Sequence, residues 1–137
     1  MERSFQYSSH IQEIPRIRED LEFLKTEWAV PESDNKQILV IIEELFSNIV
    51  RYAFADKNEH HVGIRLDLRD SHIKIEFIDD GIPFNPLDYE LGSPADPATS
   101  DAGGMGLTLI RAFSSDIVYQ RHGGKNHLTI TKKVKSK

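Results

Sequence analysis

Between Ile38 and Phe54 the chain is apolar around nearly the whole circumference of a helix. Ile38, Leu39, Val40, Ile41, Ile42, Leu45, Phe46, Ile49 and Val50 are interrupted by Glu43, Glu44, Ser47, Asn48 and Arg51. A helix with that pattern is stable in water only when other elements cover it. The sequence supplies the cover. Ile11, Ile14, Ile17, Leu21, Leu24 and Trp28 recur at three- and four-residue steps, which predicts an amphipathic helix with Pro15 in its first turn. Pro31-Glu32-Ser33-Asp34 breaks the chain and offers N-cap chemistry for the apolar helix, which then runs to about Phe54.

The strands are announced by alternation. Phe5-Gln6-Tyr7-Ser8 reads as a short edge strand. His61 to Leu68 and His72 to Ile78 alternate around the turn Arg69-Asp70-Ser71, as a hairpin with one buried face does. Ile117 to Gln120 and His127 to Ile130 predict a second hairpin across Arg121-His122-Gly123-Gly124, with a short helix from Leu107 to Phe113 before it. Early helices and clustered hairpins predict a single domain over 1–137. Its fold class is α/β (α+β), a two-layer sandwich with a mostly antiparallel mixed sheet packed on helices.

Composition narrows the function. A formal charge of −5 argues against a broad nucleic-acid or anionic-membrane footprint. The basic run Lys132 to Lys137 reads as a solvated terminus. With no cysteine, disulfides, thiolate metal sites and cysteine nucleophiles are excluded. The sequence has neither a membrane-length apolar run nor a signal-peptide core, so the expectation is a soluble cytoplasmic protein. The six histidines show no metal-ligand spacing, and His60-His61 reads as a solvated loop pair.

Three segments carry possible chemistry. On the apolar helix, Glu44, Ser47, Asn48 and Arg51 fall within roughly 100° of arc, either a narrow solvated face or the wall of a pocket. In a pocket, the Asn48 amide oxygen suits Mg²⁺, Glu44 polarises a hydroxyl, and Arg51 meets phosphate oxygens. Asp79-Asp80-Gly81 ends a strand, as a plain turn or as a carboxylate for an exocyclic amine, with Gly81 supplying a positive φ. Gly103-Gly104-Met105-Gly106 precedes a helix, as a hinge or as an anion-binding backbone. It is neither a Walker A loop nor a Rossmann fingerprint.

In this order and at this spacing, Glu44-x-x-x-Asn48, Asp79-x-Gly81 and Gly104-x-Gly106 resemble the motifs of the GHKL (histidine-kinase-like) ATPases, which share the Bergerat ATP-binding fold. The resemblance extends from Phe5 to Val134. It implies an ATP lid over about 82–103, hinged on Gly81 and Gly103. It implies ATP and Mg²⁺ as cofactors, with Asn48 the metal ligand and Glu44 the general base. A one-residue slip would exchange Glu44 for Glu43. Asp79 would read the adenine amine and Gly81 would let the chain pass the base. Gly104 and Gly106, with Met105 and Leu107 beside them, would meet the phosphates. Thr129 matches a hydroxyl that supports adenine recognition, and Arg51 a basic position facing phosphate. As a departure, no Lys or Arg occurs from Ile82 to Ala102, and Asp101 lies where some relatives carry a basic residue.

The segments from Ile41 to Ala53 and from Asp79 to Pro86 look most like the anti-sigma-factor serine/threonine kinases. That branch implies a sigma factor and a STAS-type anti-anti-sigma protein as partners, and a homodimer. Two other readings stay open. One is a nucleotide-gated, non-catalytic binding module. The other is the ATPase module of a histidine-kinase-type complex, with its phospho-accepting histidine on another chain.

Overall fold

The computed structural model describes residues 1–54, 56, 58–88 and 108–135. Strand β1 is Glu2–Ser8, followed by helices α1, Ile14–Trp28, and α2, Glu32–Tyr52. The hairpin strands are β2, His61–Arg69, and β3, His72–Asp79, and the last pair is β4, Asp116–His122, and β5, Lys125–Lys133. A helical segment over 108–113 leads into β4. The sheet order is β1-β2-β3-β5-β4, and all four pairings are antiparallel. Both helices cover one face. Among the described residues no helix is long and apolar enough to cross a membrane.

The alternation foreseen in the strands sets the layers. Val62, Ile64 and Leu66 from β2, Ile73, Ile75 and Phe77 from β3, and Leu128 and Ile130 from β5 are buried. They meet Ile17, Leu21, Leu24 and Trp28 of α1 and Ile38, Ile41, Ile42, Leu45, Phe46 and Ile49 of α2 in one core. Burying one such side chain contributes roughly 1.5–3 kcal/mol. The opposite sheet face is polar, with Arg65 3.2 Å from Glu76 and His127 3.7 Å from the same carboxylate.

Two local expectations change. The N-cap of α2 is Pro31, whose side chain has no acceptor and makes no cap bond, and Asp34 in the first turn is used elsewhere. Its Oδ1 lies 3.3 Å from Lys132 Nζ and its Oδ2 accepts the Lys135 N–H at 2.9 Å. Lys132 is therefore buried and paired, rather than part of a solvated tail. The pair fastens the end of the last strand to the first turn of α2. The final hairpin turns on Gly123 and Gly124, at φ 61° and 74°, the positive values a two-residue type I′ turn requires.

Candidate nucleotide site

The C-terminal half of α2 and the exit of β3 are locked together by backbone. The Ile82 N–H donates to Ala53 O at 2.8 Å, directly beyond α2. A Cβ on Gly81 would stand 2.3 Å from the same oxygen, which no side chain tolerates. Gly81 is thus needed for close approach. The expected positive φ is not found there; among the described glycines it occurs at Gly123 and Gly124. Phe84 continues the seam, its ring centroid 5.7 Å from that of Tyr52. In this way the C-terminal end of α2 is joined to the segment that directly follows Asp79.

That carboxylate is held firmly on one side. Asp79 is 3% exposed, and its Oδ1 accepts from the Gly81 N–H and from Asn126 Nδ2, both at 2.9 Å. Among the described residues its Oδ2 has no hydrogen-bond partner. Burial pushes the Asp79 carboxyl above the usual aspartate range, while the Asn126 and Gly81 bonds oppose the rise.

Asn126 is the residue the sequence reading missed. It pairs with Asp79 across β3 and β5, and both side chains turn to the helix-covered face. Its Nδ2 also donates to Ile82 O at 2.8 Å. Its Oδ1 accepts from Tyr119 Oη at 2.5 Å, Arg121 Nη1 at 3.1 Å and the Phe84 N–H at 3.2 Å. Thr129, the residue proposed to support Asp79, pairs instead with Glu76 and Val118. Its parity places it on the polar face, so the structure does not bring it to Asp79. The signal was available, because buried Leu128 and Ile130 fix even-numbered β5 residues as inward-facing.

The stripe on α2 is tied far less. Glu43 Oε1 accepts from Arg18 Nη2 at 2.6 Å and Nε at 3.0 Å, so α1 engages the first acid of the pair. Glu44, half-buried, makes no hydrogen bond or ion pair among the described residues. Burial raises its pKa above the usual glutamate value, Arg51 opposes this and Glu43 adds to it. Asn48 is half-buried one turn further on, and Arg51 is exposed beyond it. An unpaired carboxylate of raised proton affinity, with an amide oxygen at i+4, can take a proton beside a hard cation. Gly103, Gly104, Met105, Gly106, Leu107 and Asp101 lie outside the described residues, as does most of the 82–103 lid. The helix that follows is anchored by Ile110, which is fully buried.

His60 differs from its reading as a solvated loop residue. Its ring stacks on Phe54 at 4.5 Å, with Nε2 2.7 Å from Asp56 Oδ1 and Nδ1 3.2 Å from Asp80 Oδ1. The Asp56 bond raises its pKa most, and Asp80 adds to it. Among the described residues no group of three or more His, Asp or Glu side chains is arranged to hold a metal.

A model of the histidine kinase-like ATPase domain matches residues 7–132. The chain is 37% identical over 93 residues to the serine/threonine-protein kinase BtrW of Bordetella bronchiseptica, a match covering 65% of this chain and 63% of that protein. The match thus spans under two-thirds of that curated relative. In fold, the whole chain resembles the structure of the RsbU and RsbW domains of Rv1364c from Mycobacterium tuberculosis. There the TM-score is 0.69 at 18% identity, with 33% of that chain covered. The SiaB–SiaC complex from Pseudomonas aeruginosa gives 0.57 at 16% identity, covering 95% of this chain and 88% of that one. The last two likenesses concern fold alone.

Proposed function

Because the chain belongs to the histidine kinase-like ATPase domain family, we propose that it is an ATP-dependent protein serine/threonine kinase and anti-sigma factor in a partner-switching circuit. In this reading it phosphorylates a small STAS-type anti-anti-sigma protein and works as a cytoplasmic homodimer. The observation that carries the reading is the contrast between the two acids of α2. Arg18 holds Glu43, while Glu44, one turn from Asn48, has no partner among the described residues. The relative named a serine/threonine-protein kinase supports the choice of acceptor.

The residues fit the cofactors. Asp79 keeps an oxygen for the adenine amine, Asn48 supplies a hard amide oxygen for Mg²⁺, and Arg51 offers a guanidinium to phosphate. Gly104 and Gly106, with Met105 and Leu107, belong to the phosphate side of the same proposal. Mg·ATP, when bound, would supply the phosphoryl group, which bonds to the acceptor oxygen as its bond to the ADP leaving group breaks, with Mg²⁺ offsetting the charge. Asp79 and Asn126 would hold the base, and Asn48 and Arg51 of α2 would hold the metal and the phosphates. Glu44 takes the proton of the acceptor hydroxyl, a role its raised proton affinity suits.

The test is a tagged pull-down from the source cell's lysate in Mg·ATP and again in Mg·ADP, with phosphosites mapped by mass spectrometry. A sigma factor retained with ATP and a phosphorylated STAS-type protein are expected. Nucleotide-dependent partners without phosphorylation would favour the non-catalytic binding module, a reading the absence of Lys and Arg from Ile82 to Ala102 supports. A phosphohistidine on a partner would favour the histidine-kinase-type complex.

A further inference from the structure

Arg121 reaches from β4 to the two residues that hold Asp79. Its Nη1 donates to Gly81 O at 2.7 Å and to Asn126 Oδ1 at 3.1 Å. Gly81 and Asn126 are the same residues whose N–H groups donate to Asp79 Oδ1. One guanidinium therefore sits behind both supports of the carboxylate. Through Asn126 the chain is continuous: the cation polarises the amide oxygen, and the amide N–H becomes a stronger donor to Asp79. Such bonds reinforce one another most at the buried end of the chain, where Asn126 is 2% exposed, while Arg121 itself is an exposed residue. Across the turn, the Gly81–Ile82 peptide is held by Arg121 at its carbonyl and by Ala53 O at its N–H.

We propose that Arg121 is a positioning and specificity-determining residue for nucleotide binding: it holds Oδ1 of Asp79 through Gly81 and Asn126, leaving Oδ2 for a purine 6-amino group. This rests on Asp79 being the adenine carboxylate. A carboxylate oxygen only accepts when ionised, so the arrangement favours a base with an amine at C6 and disfavours one with a carbonyl there. Arg121 also opposes the burial that would protonate Asp79. No other cation is hydrogen-bonded to Gly81 or Asn126 among the described residues.

Calorimetric titration of the full chain with ATP, with inosine triphosphate and with purine riboside triphosphate, which lacks the amine, tests the proposal. Arg121→Met is expected to weaken ATP roughly three- to tenfold while leaving purine riboside triphosphate nearly unchanged, and Arg121→Lys to fall between. Equal losses for both nucleotides, with an altered far-UV spectrum or not, would reduce Arg121 to a structural residue and overturn the proposal. Unchanged ATP binding in Arg121→Met would overturn it as well. Asp79→Ala separates the two levels: if it retains the preference for ATP, the adenine carboxylate itself is misassigned and both fall. If it loses that preference while Arg121→Met keeps it, only the role of Arg121 fails.

Discussion

The two ends of the candidate site are built on opposite terms. At the β3 exit, Asp79, Gly81, Asn126 and Arg121 form a closed set of hydrogen bonds drawn from β3, β4 and β5. On α2, Glu44 has no hydrogen-bond partner among the described residues, and its carboxyl is held above its usual proton affinity. A group that must recognise a fixed ligand gains from being held in place before the ligand arrives. A group that must accept a proton loses by being neutralised beforehand. The contrast recurs within α2, where Arg18 ties up Glu43 and leaves its neighbour alone. The proposed recognition end and the proposed chemical end thus differ in how they are held, and the end of α2 meets the β3 exit where Gly81 packs on Ala53.

Breaking that junction should have the largest effect. Gly81→Ala puts a methyl group 2.3 Å from Ala53 O, so it should destabilise by about 3 kcal/mol and abolish nucleotide binding. Denaturant melts with and without ATP would read both. Asn126→Ala attacks the held end alone. It removes two donors and one acceptor from a buried network, and should cost about 2 kcal/mol while weakening ATP binding. Equal ATP affinity in that variant would show that Asp79 needs no clamp.

A smaller and pH-dependent effect is expected beside the held end. Asp56 and Asp80 flank His60; Glu59 and Lys125 lie in the adjoining cleft, and Arg121 lines a neighbouring one. Its pKa is raised in the folded state, so its stabilisation is complete below the ordinary value of 6.5 and is lost as pH rises through the raised one. The pKa of Asp56 is lowered, so its share is present above 3.8 and is lost only as pH falls through the lower folded value. The difference in Tm between wild type and His60→Gln should therefore be greater near pH 6 than near pH 9. A difference independent of pH would show that stacking on Phe54, rather than charge, holds the ring.

Much of the fold was legible because periodicity is a local property. The helical steps read from Ile11 to Trp28 and the alternation in β2 and β3 needed no knowledge of neighbours, although Ile11–Glu13 form a 3-10 turn and α1 begins at Ile14. Boundaries were less so: β1 begins at Glu2 because it pairs with Asp67, a partner the sequence does not announce. At the candidate site, spacing pointed to Glu44, Asn48, Asp79 and Gly81 as proposals, but what surrounds them is tertiary. The choice between Glu43 and Glu44 rests on Arg18, which belongs to another helix. Thr129 follows from the family resemblance, which points to a hydroxyl in β5, whereas strand parity puts Asn126 opposite Asp79. His60 looked solvated because Asp80 lies twenty positions away in sequence and reaches it only through the fold.

The central claim is that the unpaired acid, not the paired one, does the chemistry. Glu44→Gln and Glu43→Gln should be compared for ATP binding and for phosphoryl transfer to the STAS-type partner. Glu44→Gln should bind ATP as the wild type does and transfer at least about 100-fold more slowly. It should also raise Tm at pH 7, because a carboxyl whose folded pKa is raised costs stability once ionised. Glu43→Gln should keep transfer and lose at most about 1 kcal/mol with its Arg18 pair. Wild-type transfer by Glu44→Gln, or its loss in Glu43→Gln alone, would contradict the account.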